Sequence, residues 1–155
     1  MPLTATETPL IRIGEEFRAH LRYTREQIVQ FARLSGDSNP LHHDRQAAER
    51  ASFGEIIASG QQTASQMMGV VASHFSRRDD GIAREMLCLN FNFSFKAPVF
   101  AEQEIAITWR VTNIERSDRH GGWIGHLDGS AAIAGRPCVV SRGTVLVTRP
   151  QALVM

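Results

Sequence analysis

Asp37 and His42 stand five positions apart in the run Gly36-Asp37-Ser38-Asn39-Pro40-Leu41-His42. A carboxylate beside an imidazole suits general acid–base chemistry near neutral pH, because each group orients the other and biases its protonation. The residues between them are strong turn-formers. Glycine and asparagine tolerate positive φ, proline fixes φ, and aspartate bonds its own backbone. A rigid turn of that kind can bring both side chains to one point. Taken singly, Asp37 is an ordinary turn residue and a lone histidine an ordinary structural one. The pair within one turn is what suggests chemistry.

Two helices must frame that turn. Thr24-Arg25-Glu26-Gln27 has capping-box spacing, Ile28, Phe31, Ala32 and Ser35 follow at helical intervals, and Gly36 supplies the stop. The first helix therefore delivers the chain into Asp37. Beyond the turn, Asp44 is placed to cap a short helical segment over 45–51, and Phe53-Gly54-Glu55 reads as a loop. Ser59-Gly60-Gln61-Gln62 repeats the capping-box pattern and opens the longest helix. Its apolar residues Ala64, Met67, Met68, Val71, Ala72 and Phe75 lie at i, i+3, i+4, i+7, i+8 and i+11, a stripe suited to packing on a sheet. This helix is expected to end near residues 77–81.

Strands surround the helices. Residues 1–13 read as an extended arm, and Glu16 to Tyr23 alternates as a first strand. After Gly81 the period changes to two: Leu87, Leu89, Phe91, Phe93 and Phe95 alternate with polar residues as far as Lys96, and Pro98 ends the run. Three more strands follow, over 104–115, 123–133 and 138–148. Short turns join them, which predicts an antiparallel meander. A sheet with one apolar face and one long striped helix must bury the helix against the sheet. The expected fold is α+β, a hotdog fold in which an antiparallel sheet wraps around one long central helix, in a single domain over 1–155.

The string Phe31-Ala32-Arg33-Leu34-Ser35-Gly36-Asp37-Ser38-Asn39-Pro40-Leu41-His42 resembles the signature of the MaoC-like, R-specific enoyl-CoA hydratase and dehydratase family. Phe93-Ser94-Phe95-Lys96-Ala97-Pro98-Val99 resembles it more loosely. The resemblance implies the hotdog fold and reversible hydration of a trans-2-enoyl thioester to an (R)-3-hydroxyacyl thioester, with Asp37 and His42 as the catalytic pair. Such a reaction needs a base for water, an acid for C2 and donors for the thioester oxygen. The donors are expected at the start of the long helix, where first-turn N–H groups lack partners and the helix dipole is positive. Gly60, eighteen residues after His42, matches the family's glycine there. Ser59 departs from the family pattern, which often has histidine, and is expected to cap the helix and touch substrate. Asn39 and Met67 complete the expected substrate-binding set, although Asn39 also suits bracing the turn and Met67 the core.

Composition limits the partners. Seventeen basic and sixteen acidic residues give a formal net charge of +1, without the basic surface that nucleic acid or an anionic membrane needs. Only Lys96 among the basic residues is a lysine. Arg77, Arg78 and Arg84 are available to coenzyme A phosphates but equally suit a solvated surface. Cys88 and Cys138 lack metal-ligand spacing and suggest reduced thiols. His20, His43, His74, His120 and His126 suggest no metal site. Neither a leader pattern nor a spanning apolar run is evident, which suggests a cytoplasmic protein. The expected partner is an acyl-CoA or acyl-carrier-protein thioester, with no cofactor beyond the coenzyme A of the substrate itself. The fold implies a homodimer or larger homo-oligomer. Two other readings stay open. A hotdog thioesterase would place a carboxylate on the long helix, and Gly60 to Phe75 contains none. A binding module without catalysis would keep the fold, and the intact Asp37/His42 pair argues against it.

Overall fold

The computed structural model describes residues 10–151. Residues 1–9 of the expected arm lie outside that range. Where the description begins, Leu10 and Ile11 are already buried, so the arm's inner end belongs to the core.

Five antiparallel strands form one sheet: β1 (Glu16–Leu21), β2 (Glu85–Phe95), β3 (Ile105–Ser117), β4 (Gly122–Ile133) and β5 (Arg136–Thr148), in the order β1-β3-β4-β5-β2. Helices α1 (Arg25–Leu34) and α2 (Arg45–Arg50) lie between β1 and the long helix α3 (Gly60–Phe75). Ala64, Met67, Val71 and Phe75 form the buried stripe of α3. Met67, Val71 and Phe75 join Ile105, Ile107, Trp109, Val111, Leu127, Val139, Val145 and Val147 from the sheet. The indole of Trp109 donates to the carbonyl of Met67 at 3.0 Å and fixes helix to sheet in register. This is the hotdog arrangement, and the fold class is α+β as expected.

β3, β4 and β5 form the expected antiparallel meander. After β2 the chain crosses the sheet, so that β3 takes the edge offered by β1 while β2 pairs with β5 on the opposite side. One expectation about the strands needs correction, the single apolar face of β2. A bulge between Cys88 and Asn90 makes Leu89 an extra residue, which reverses the side-chain alternation. Phe91 and Phe93 pack on the core, whereas Leu87 and Leu89 are 64% and 51% exposed. The simple period-two reading had put all four on one face. Among the described residues β2 is an edge strand, and it shows both apolar side chains and unpaired backbone groups to its surroundings.

Candidate active site

The end of α1 sets the position of Asp37. Gly36 takes φ +72°, which glycine adopts without a Cβ penalty. Its N–H bonds to the carbonyl of Arg33 at 3.2 Å, and the Asp37 N–H bonds to that of Ala32 at 2.8 Å. These two bonds form a Schellman cap, closed by the backbone of Asp37 itself. At the other end of α1 the expected capping box is complete, with Thr24 and Gln27 bonding each other's N–H. The turn then tightens. The N–H of Asn39 donates to Asp37 Oδ1 at 2.9 Å, and that of Leu41 donates to Asn39 Oδ1 at 3.1 Å. A 3-10 turn over Pro40–His42 brings His42 inward, and Asp44 caps α2 through the Ala47 N–H.

His42 is buried, and its Nδ1 lies 2.7 Å from the carbonyl oxygen of Ile57. A carbonyl oxygen only accepts, so Nδ1 carries the proton and the neutral ring presents a bare Nε2. That Nε2 stands 3.6 Å from Asp37 Oδ2. The separation exceeds a direct hydrogen bond and suits one molecule of water touching both atoms. The same Oδ2 accepts a 2.7 Å bond from the side-chain amide of Gln61, in the first turn of α3. The Asn39 N–H above all, and then the Gln61 amide and the nearby imidazole, hold the Asp37 carboxyl below its ordinary value against the opposing effect of burial. Asp37 is therefore an ionised carboxylate at neutral pH.

A cleft of about 450 Å³ opens beside this pair. His42, Ser59, Gly60 and Gln61 line one part of it, and Phe95, Lys96, Pro98, Val99 and Val139 line another. Asp37 does not line the cleft itself; it bonds or faces two residues that do. Gly60 approaches the ring of Phe95 so closely that a Cβ would lie 2.8 Å from Cε1. Its N–H, in the first helical turn, has no i−4 acceptor within the helix.

Several expected residues sit elsewhere or act differently. Met67 is fully buried and absent from the cleft wall, so its expected contact with substrate gives way to a core role. Asn39 is exposed and outside the cleft; its bonds brace the turn. Ser59 does line the cleft, but the second capping box is absent. Its hydroxyl makes no bond to α3 and, among the described residues, is buried without a partner, as is Gln62 Oε1. Both side chains of the would-be box are turned into the interior, where burial overrides the capping geometry. Arg84 is buried against Leu10 O and Asp80, and Arg77 pairs with Glu15 and Asp80, so neither is a spare phosphate ligand. Gln61 was missed as a site residue because nothing in its sequence spacing links it to a carboxylate 24 positions earlier.

The family described as MaoC like domain matches this chain over residues 10–123, which include Asp37, His42 and Gly60. The (R)-specific enoyl-CoA hydratase of Aeromonas caviae is 29% identical over 109 residues, covering 70% of this chain and 76% of that enzyme. A mitochondrial 3-hydroxyacyl-(acyl-carrier-protein) dehydratase of Solanum lycopersicum is 23% identical over 113 residues. That match covers 73% of this chain but only 64% of the plant enzyme. Among solved structures, an (R)-hydratase from A. caviae involved in PHA biosynthesis superposes with a TM-score of 0.76 at 25% identity. That superposition covers 94% of this chain and 100% of the other.

Proposed function

From the premise that the chain belongs to the MaoC-like domain family, we propose that it adds water reversibly to a trans-2-enoyl thioester, giving an (R)-3-hydroxyacyl thioester. One observation carries the reading: Asp37 Oδ2 and the unprotonated Nε2 of His42 converge at 3.6 Å beside the start of α3. Water placed between them donates one hydrogen to each. As its oxygen bonds C3 of the substrate, one of its protons passes to the pair, which delivers a proton to C2, while the other hydrogen stays on the oxygen as the new hydroxyl; the elements of water are added and nothing is oxidised or reduced. Interacting groups titrate together, so acid and base roles belong to the pair. In reverse, the pair removes the C2 proton and protonates the departing hydroxyl.

Negative charge grows on the thioester oxygen as C3 is attacked. First-turn N–H groups at Gly60 and Gln61, at the positive end of the α3 dipole, are suited to stabilise it. The chain's own groups thus supply acid, base and donors. The acyl group can be carried on coenzyme A, as for the A. caviae relative, or on acyl-carrier protein, as for the plant one. Two copies paired along β2 would cover its exposed edge, which supports a homodimer.

A panel of trans-2-enoyl-CoA esters followed by loss of enoyl absorbance tests the activity. Chiral analysis of the product should give the (R)-3-hydroxyacyl ester. Thiol release without hydration would instead point to a thioesterase.

A further inference from the structure

We propose that Gln61 is a positioning residue: it locks the Asp37 carboxylate in the orientation that faces His42 and ties the acid–base turn to the start of α3. The consequence for turnover rests on the hydratase reading, but the structural claim stands on geometry. A carboxylate only accepts hydrogen bonds, so the atom of Gln61 that lies 2.7 Å from Oδ2 must be its amide nitrogen. The Asn39 N–H holds Oδ1 at 2.9 Å. With one donor on each oxygen, the carboxylate cannot turn about its Cβ–Cγ bond without losing both. Oδ2 keeps lone-pair capacity for water on the side of His42.

The sequence position of Gln61 adds to this. It is the second residue of α3, directly after Gly60, and its side chain also lines the cleft. The turn is anchored at one oxygen by its own backbone and at the other by the helix start that faces the thioester. The His42–Ile57 bond is a second tie to the strand-like segment leading into that helix. Together they fix the distance between the proton-transferring atoms and the N–H groups that would receive the thioester oxygen. Sub-ångström placement of such groups is what positioned catalysis depends on.

The test is Gln61→Met, similar in length and lacking the donor, at an exposed residue where folding is not at stake. Carboxyl carbon NMR, with the Asp37 signal assigned by its loss in Asp37→Asn, needs no substrate. The Asp37 titration should move to higher pH in Gln61→Met, because a donor to the ionised form is gone. In kinetics, kcat should fall about 10- to 100-fold, the scale of one hydrogen bond to a charged group, with KM little changed. The acid limb of kcat/KM should move to higher pH with the carboxyl titration. An unmoved Asp37 titration would overturn the proposal whatever the activity. A moved titration with unchanged kcat would overturn the catalytic part. A wild-type protein inactive on every enoyl thioester would refute the hydratase reading, while the titration still decides whether Gln61 holds Asp37.

Discussion

The imidazole of His42 and the backbone carbonyl of Ile57 are joined by a 2.7 Å bond, and that bond decides which face of the ring is available for chemistry. With its proton held at Nδ1, neutral His42 offers a lone pair at Nε2, directly across from a carboxylate. Two acceptors facing each other at 3.6 Å need a hydrogen donor between them. Water meets that need.

The tautomer can be read directly. Nitrogen-15 NMR of neutral His42 should show a protonated Nδ1 and a bare Nε2. A neutral ring protonated at Nε2 would mean a direct bond to Asp37 and no place for water accepted by both groups.

Gly60→Ala separates packing from oxyanion binding, provided Phe95 is considered. The added methyl would meet the Phe95 ring at 2.8 Å, but Phe95 is 55% exposed on an edge strand and its ring can swing aside. Alanine favours the helix by about 0.8–1 kcal/mol, so the melting temperature should change little. Turnover should drop about 100-fold, the scale of one oxyanion donor. Combining the change with Phe95→Leu should not restore it. Full recovery in the double variant would assign the loss to displacement of Phe95 instead.

Association along β2 is measurable by sedimentation at micromolar concentration. Leu87 and Leu89 sit exposed beside an unpaired strand edge, so the protein should run as a dimer or larger. Leu87→Lys with Leu89→Lys should weaken that association. A wild-type monomer would contradict the paired-edge proposal.

Arg84 provides a stability test remote from the cleft. The residue is 5% exposed, and its guanidinium bonds the Leu10 carbonyl and both oxygens of Asp80. The Arg84 hydrogen bonds, and then the Ile82 N–H, hold the Asp80 carboxyl far below its ordinary value of 3.8. A depressed folded pKa gives stability that is present above that ordinary value and lost as pH falls below it. Arg84→Met should lower the melting temperature at pH 7, and its further loss below about pH 4 should be shallower than in wild type. Equal acid sensitivity of the two proteins would show that the pair carries no such linkage.

Much of this was legible in the sequence where local chemistry decides the outcome. The Thr24 capping box, the Gly36 stop, the Asp44 cap and the α3 stripe depend on neighbours within a turn or two. The paired Asp37 and His42 were visible for the same reason. What escaped was set by distant parts of the chain. The bulge at Leu89 answers to the register with β5, the inward turn of Ser59 and Gln62 to burial of the helix start, and the Gln61–Asp37 bond to packing of α3 against the turn. The buried Arg84 looked like any surface arginine until the Leu10 carbonyl was found against it.

The central claim is tested most directly by single-turnover hydration of an accepted enoyl thioester with wild type, Asp37→Asn, His42→Ala and the double variant. The Asp37→Asn side chain is nearly isosteric, so the fold should survive while the ionised carboxylate is gone. Each single change should cost about two to four orders of magnitude in rate, and the double variant little more than either, since both groups act on one water. A folded Asp37→Asn protein hydrating at close to the wild-type rate would contradict the account.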